Sequence, residues 1–477
     1  MTKKKTLQDY TGDDLEHEMM RRYLDGHFKP GMTMSQMELV VWKTRGMENP
    51  AALLALKAML GRLPLEKPTG KLCPKCGKRT PVRAKDRPRE LRTMAGPVTL
   101  TRNYHYCENC QLGFYPLDRV LDLPEEGELT REMEKRVLDF AINDVYGECA
   151  ARWQVHYQSV VSENLFRCVV GRVGAQCEAT NQQQLQEELK PPQPMAEGEV
   201  LIAEVDGGML PIRGPEPWKE AKLGLVYRHD LQTQRPVKGS ARYVATVNGF
   251  GEFAPLFEDA LRVERAEELP TVLFIADGAP CNWRLADQLL PDAVQILDWY
   301  HAVQHAVACG KVLLGEEHPY LPIWQQRSEA LLAAGEPDVL IAELMDCVPL
   351  VPKRRRDSLR AIDELVRYYR TNAHRMRYAL YREHRFPIGS GAVESAHRHV
   401  LQVRMKRAGQ HWAMGTARKL AGLRAAYRTG GAIGYYDAIQ RARRRSRSQG
   451  RYWRKGHFRY AREGTRDRQR CLKASSG

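Results

Sequence analysis

Two apolar runs that each close on an aspartate constrain the fold of this chain most strongly. Val200-Leu201-Ile202-Ala203-Glu204-Val205-Asp206 leads into Gly207-Gly208, and Val272-Leu273-Phe274-Ile275-Ala276-Asp277 leads into Gly278. Short apolar runs bounded by turn residues read as strands buried on both faces. Residues 224–228, 242–247 and 294–297 read the same way. Helices are expected over 254–265 and 282–290. Three consecutive strands, then helix alternating with strand, predict an α/β layer built on a mixed sheet.

A third carboxylate, Glu394, follows Pro387-Ile388-Gly389-Ser390-Gly391-Ala392-Val393 at the start of a basic helix. Mg²⁺ prefers hard oxygen ligands. Aspartates at neighbouring strand ends, with a glutamate from a helix, are the shared ligands of a two-ion Mg²⁺ or Mn²⁺ site that acts on phosphodiesters. Singly, each residue has a plainer use. Asp206 suits a turn, Asp277 an N-cap, and Glu394 the positive end of its own helix, capped by Ser390. Together and in this order, the metal site is the better reading. Asp298-Trp299-Tyr300-His301 adds to it. Asp298 and His301 share a helix face at spacing three, and His301 is suited to hydrogen-bond a scissile phosphate or leaving oxygen. A half-buried histidine satisfied by its neighbours has equal weight.

At 477 residues, several domains are expected. A net charge of +16 points to a polyanionic partner. The excess is concentrated at the end, where residues 441–473 hold fourteen Arg or Lys against two acids. Tyr452, Trp453, Phe458 and Tyr460 are interleaved there, which suits sequence-independent nucleic-acid binding or a solvated tail. No apolar stretch is long enough to span a membrane, and the lysine-rich start is no secretory signal. The expected location is the cytoplasm, on the bacterial nucleoid. The eleven cysteines are mostly scattered, which argues against a disulfide framework.

Four cysteines do form a pattern. Cys73-x-x-Cys76 and Cys107-x-x-Cys110 flank an expected hairpin, 90–93 and 98–106 around Ala95-Gly96-Pro97. Two such knuckles on a hairpin predict a zinc ribbon with a closed Zn²⁺ site. The expected organisation is a helical region at 1–68, the ribbon at 69–120 and a helix-turn-helix-like DNA-binding region at 121–180. A Gln- and Pro-rich linker follows at 181–199, then a catalytic domain at 200–430 and a basic tail at 431–477. In the helix-turn-helix region, Ser162, Asn164 and Arg167 face a major groove; two packed helices with no DNA role are nearly as good a reading. After Glu394, Arg398, Arg404, Lys406, Arg407 and Gln410 are expected to grip phosphates. Trp412 is expected to stack on a base or to sit in the core.

The strand order is that of a ribonuclease-H-like domain. With Asp206-Gly207, Arg242-Tyr243-Val244-Ala245, Asp277-Gly278-Ala279, Leu297-Asp298-Trp299-Tyr300-His301-Ala302, Pro387 to Glu394, Gln402 to Trp412 and the cysteine pairs, the chain resembles bacterial insertion-sequence transposases of the DDE class, IS-Kra type. The resemblance covers roughly residues 70–430. It implies a catalytic triad of Asp206, Asp277 and Glu394 and an all-α insertion at about 313–384. It implies hydrolysis of a phosphodiester at the element end, strand transfer into target double-stranded DNA, and at least a dimer on that DNA. A ribonuclease-H-like nuclease that cuts without joining, or a transposase-derived DNA-binding protein without chemistry, are the alternatives.

Overall fold

The computed structural model describes residues 13–42, 50–61, 71–157, 159–352 and 355–448. Most of the basic tail, from residue 449 on, lies outside the described residues. The chain divides into two compact units, 1–170 and 171–477.

The first unit opens with α1 (Asp13–His27), α2 (Met34–Trp42) and α3 (Pro50–Gly61). The short pair β1 (Lys71–Leu72) and β2 (Arg79–Thr80) precedes a three-stranded sheet of β3 (Val82–Thr93), β4 (Gly96–Cys107) and β5 (Leu112–Phe114). The ribbon hairpin is therefore real but longer than expected, because β3 begins at Val82. Its first half is charged and bulged, at Val82/Ala84 and Ala84/Arg87, so period-two patterning is absent there. The turn comes earlier than expected. Thr93 pairs with Gly96, and the Thr93 hydroxyl closes the loop by donating to the Gly96 carbonyl at 2.7 Å. Along β4, Val98 and Leu100 point inward and join Leu91, Leu24, Met37, Leu56 and Met59 in one core.

After α4 (Pro116–Val120) come α5 (Arg131–Asn143), α6 (Tyr146–Tyr157) and α7 (Glu163–Glu178). Trp153 is fully buried among them. Its ring meets Phe140 at 5.6 Å and Phe166 at 6.1 Å, and its indole N–H donates to Ser159. A side chain of this size, buried and hydrogen-bonded, fixes the angle at which the helices meet.

The second unit begins within α7. The stretch read as a linker contains a helix, α8 (Gln182–Leu189), capped by Asn181 and burying Leu185 and Leu189. Two leucines four apart among glutamines make an apolar stripe too sparse to stand out by periodicity. Next come β6 (Glu199–Pro211), β7 (Trp218–Asp230), β8 (Arg235–Pro236), β9 (Arg242–Thr246), α9 (Phe250–Val263), β10 (Val272–Ala276), α10 (Pro280–Leu289) and β11 (Val294–Leu297). The mixed sheet runs β11-β10-β6-β7, with β9 and β8 both paired to β7. β6 is antiparallel to β7 and parallel to β10. Buried Leu201, Ile202, Leu223, Phe253, Phe257, Leu273 and Phe274 fill the space around it.

From β11 the chain enters α11 (Trp299–Leu314), α12 (Leu321–Ala334), α13 (Pro337–Cys347), α14 (Arg356–Asn372) and α15 (Tyr378–Glu383). The interval before Glu394 is all helical among the described residues, as expected. Tyr378 and Tyr381 of α15 donate their hydroxyls to the Leu297 and Gln295 carbonyls of β11. The fold closes with α16 (Gly391–His397), a π-helical turn at Arg398–Gln402, α17 (Val403–Met405) and α18 (Met414–Ser448), broken at Gly431 where φ is 73°. No helix among the described residues is long and apolar enough to cross a membrane.

In the first unit, Glu38 of α2 is 1% exposed. It accepts the Met94 N–H at 3.0 Å and the Thr130 hydroxyl. Burial pushes its carboxyl up to about 7. The folded chain then holds this proton between about pH 4.5 and 7 while the unfolded chain releases it, so stability falls as pH rises across that window. The expected loss is on the order of 3 kcal/mol. Urea unfolding of wild type and Glu38→Gln at pH 5 and 7.5 checks this: the variant should show a shallower pH slope.

Candidate functional site

Register builds the site. β10 pairs with β6 in parallel, Ile275 opposite Glu204. Two residues further along both strands, Asp277 comes beside Asp206. Both side chains are half-buried. The Asp206 carboxylate accepts its neighbour Gly207 N–H at 2.7 Å. Burial, with the Asp277 charge adding, pushes its carboxyl up to about 6. Asp277 accepts the Ala279 N–H at 3.0 Å and the Asn282 amide at 2.9 Å. Asp277 thus closes a turn ahead of α10 rather than capping it; the helix begins after Ala279, which makes no side-chain cap bond. Tyr368 of α14 donates to the Asp277 carbonyl at 3.0 Å, so an inserted helix touches the strand end.

Asp298, fully buried, caps α11: it accepts the His301 N–H at 2.8 Å and, with its other oxygen, the Ser390 N–H. Burial works against its charge. The hydrogen bonds from His301 and Ser390 outweigh that and hold it below the ordinary range. His301 Nδ1 lies 3.3 Å from Asp298. Asp298 raises the imidazole above its usual range, and Asp277 and Glu394 add to the rise.

Asp298, His301 and exposed Glu394 present ligand atoms within 4.8 Å of one another. This is not the trio expected from sequence. Among the described residues, Glu394 clusters with Asp298 and His301. Asp277, just past β10, and Asp206 stand beside that group, but β6 continues to Pro211, so Asp206 lies inside its strand rather than at the end the sequence suggested. The five share one electrostatic neighbourhood, since Asp277 acts on Asp206 and on His301. Crowded anionic oxygens of this kind fit a hard divalent cation, which would relieve the like-charge cost.

Sequence reasoning missed four neighbours. Glu204, two residues before Asp206, is fully buried and accepts the Tyr227 hydroxyl at 2.8 Å and the Val393 N–H at 2.7 Å. A carboxylate inside an otherwise apolar run was the available signal. Buried Lys222 of β7 pairs with Glu220 at 2.8 Å, and its charge acts on Asp206. His397 of α16 is buried against Gly208, where a Cβ would overlap the imidazole ring; that contact explains the glycine after Asp206-Gly207. The fourth is Tyr368, described above.

The expected DNA contacts separate into two kinds. Arg167, Arg398 and Lys406 are exposed, as are Ser162, just before α7, and Asn164 on it. Arg407 and Gln410 are half-buried. Arg404 and Trp412 are packed inside: Arg404 is 1% exposed and lies 4.9 Å over the Trp412 ring. The Trp412 indole donates to the Met405 carbonyl, and its backbone pairs with Pro211 and Arg213. A phosphate-gripping role for Arg404 and base stacking by Trp412 do not fit that burial. The basic segment is not one helix either. A π turn interrupts it, and buried Arg424 donates to the His399 and Val400 carbonyls there.

In the first unit, the Sγ atoms of Cys73, Cys76, Cys107 and Cys110 all lie within 4.8 Å of one another, with Cys76 and Cys107 3.6 Å apart. Zn–S bonds of about 2.3 Å in a tetrahedron require sulfurs about 3.8 Å apart. Gly77 (φ 69°) and Gln111 (φ 50°) each follow the second cysteine of a pair in left-handed backbone, so the two knuckles turn alike. The Lys78 N–H, first among several contacts, holds the Cys76 thiol down to about 6. These residues fit a structural metal.

The profile of an uncharacterised protein family, UPF0236, matches residues 74–441, most of the chain. No curated protein matches it.

Two measurements follow. The purified chain should carry one zinc per molecule by elemental analysis, and Cys107→Ser should lose it; full thiol titration without zinc would contradict the site. Gly208→Ala should cost about 1–3 kcal/mol in denaturant unfolding through overpacking against His397. Gly251→Ala, where a Cβ meets open space, should be neutral or stabilise by up to about 1 kcal/mol.

Proposed function

We propose that this chain, which belongs to the uncharacterised protein family UPF0236, is a metal-dependent DNA transposase. One observation carries the reading. Aspartates on two adjacent parallel strands, Asp206 inside β6 and Asp277 just past the end of β10, adjoin a cluster of Asp298, His301 and Glu394. The strand order β9-β7-β6-β10-β11, in which only β7 runs against the other four, supports a ribonuclease-H-like domain, here enlarged by the helices between β11 and α16.

Asp206, Asp277 and Glu394 would hold Mg²⁺ or Mn²⁺. Such ions, when bound, neutralise charge on the phosphoryl group and lower the pKa of the attacking oxygen. The protein's own residues do the rest. Water adds to phosphorus at the element end, the bond to the 3′ oxygen breaks, and that oxygen takes up a proton. His301, whose imidazole Asp298 pushes above its usual range, is the donor. The freed 3′-hydroxyl then attacks a phosphodiester of target DNA in the same pocket: its oxygen bonds to the target phosphorus, the bond from that phosphorus to the target's 3′ oxygen breaks, and the proton lost by the attacking hydroxyl is balanced by the one the leaving oxygen takes up. Buried Lys222 contributes positive charge beside Asp206. Exposed Arg398 and Lys406 hold backbone phosphates beyond the scissile bond, and Arg167 reaches DNA from the helix-turn-helix-like region. The cysteine ribbon, with zinc, completes an end-recognition module. Two DNA ends must meet for joining, so the active species is at least a dimer, on the bacterial nucleoid.

A strand-transfer assay with Mg²⁺ on DNA carrying the element's native ends tests this. Wild type should cut and join. Asp206→Ala, Asp277→Ala and Glu394→Ala should each lower the rate by at least about a thousandfold, the loss of several kcal/mol of transition-state stabilisation. Cutting without joining would make the protein a nuclease. Binding without chemistry would make it a DNA-binding regulator. Full activity in Asp206→Ala would overturn the site assignment.

A further inference from the structure

We infer that Glu204 is a positioning residue for Glu394, acting through the first turn of α16. The inference rests on the metal-site reading above and adds to it how the helical ligand is held to the sheet.

Side chains alternate along a strand, so Glu204 and Asp206 leave β6 on the same face. Asp206 points to the proposed metal pocket. Glu204, 0% exposed, sits one step deeper and binds the backbone of α16: its Oε2 accepts the Val393 N–H at 2.7 Å, and its Oε1 is fixed by the Tyr227 hydroxyl at 2.8 Å. Val393 is the residue before Glu394. A second buried carboxylate acts at the same turn, since Asp298 accepts the Ser390 N–H. The first amides of a helix have no partner four residues back. Here two of those positions are taken by acids from the sheet, one on β6 and one just beyond β11. Glu394 is therefore held to the same strand that carries Asp206. A buried carboxylate is costly unless its oxygens are satisfied, and a fold whose only need was to fill that space would use an apolar residue, as the neighbouring positions do.

Glutamine at 204 can present its amide oxygen to Val393 and its NH₂ to the Tyr227 oxygen, which also accepts. Leucine fills the space with no acceptor. Mn²⁺ binding to the full chain, read by electron paramagnetic resonance, separates the two. Glu204→Leu should weaken binding by about tenfold or more, the scale on which residues behind metal ligands act, and Glu204→Gln should restore it to within about threefold of wild type. Equal affinity in wild type and Glu204→Leu would overturn the inference, as would a glutamine variant as weak as leucine.

A measurement on wild type needs no variant to fold. By amide hydrogen exchange, Ser390 and Val393 should be much slower than Gly391 and Ala392, which lie between them. Uniformly fast exchange across 390–393 would overturn the clamp. If wild type binds Mn²⁺ no better than Asp206→Asn, the metal-site reading fails; the exchange pattern then decides the clamp by itself.

Discussion

The second unit depends on one strand being paired on both edges at once. β6 runs antiparallel to β7 over its whole length and parallel to β10 over its first half, from Leu201 to Glu204. Each pairing fixes the register of the other. A slip of one residue would turn Glu204 and Asp206 to the opposite face, burying two carboxylates on the side of Phe274 and Phe257. The polar pair on one face thus locks a strand whose remaining residues, apolar on both faces, would tolerate either choice.

Much of the layout was legible in the sequence, and the reasons differ by element. β10 and β11 lie where short apolar runs between turn residues put them, since central parallel strands must be apolar on both faces. The all-helical interval before Glu394 was expected only through the family resemblance; in α14, Ile362, Val366 and Tyr369 are buried. The front of β3 was not legible, because a charged, bulged ribbon outside a core has no hydrophobic pattern to read. Nor was α8, whose burial comes from two leucines. The cysteine cluster was fully legible: ligand spacing within a knuckle is local, so a motif encodes its geometry. The carboxylate site was legible only as a set of names. Which atoms converge depends on register and helix placement across almost two hundred residues. The sequence pattern therefore named Asp298, His301 and Glu394 without showing that they form the tighter group.

Burial also explains where a reading by charge fails. A basic residue in a basic segment looks like a phosphate ligand, yet Arg404 and Arg424 are buried and Arg424 serves backbone carbonyls. The same holds at Arg242, which is 0% exposed and shares Glu264 with Arg228 at 2.5 and 2.9 Å. Arg242 also donates to the Gln186 carbonyl of α8. Removing one member of such a group leaves a buried charge uncompensated, at about 3–5 kcal/mol. These arginines are interior ties between segments distant in sequence, and they lower the share of the net charge that is available to a polyanion.

The bond from Val393 to Glu204 spans 189 residues. On a ribosome adding about 5–20 residues per second, that interval is roughly 10–40 s. Throughout it, β6 has left the exit tunnel with a carboxylate whose backbone partner does not yet exist. β7, β10 and the inserted helices can all form in that time, so the sheet and its helical insert are built before the helix bearing Glu394, with α17 and α18 following it. Assembly of the carboxylate cluster is then a late event in the synthesis of this unit, and a chain released before residue 394 would hold the sheet and the inserted helices yet lack the glutamate that joins Asp298 and His301.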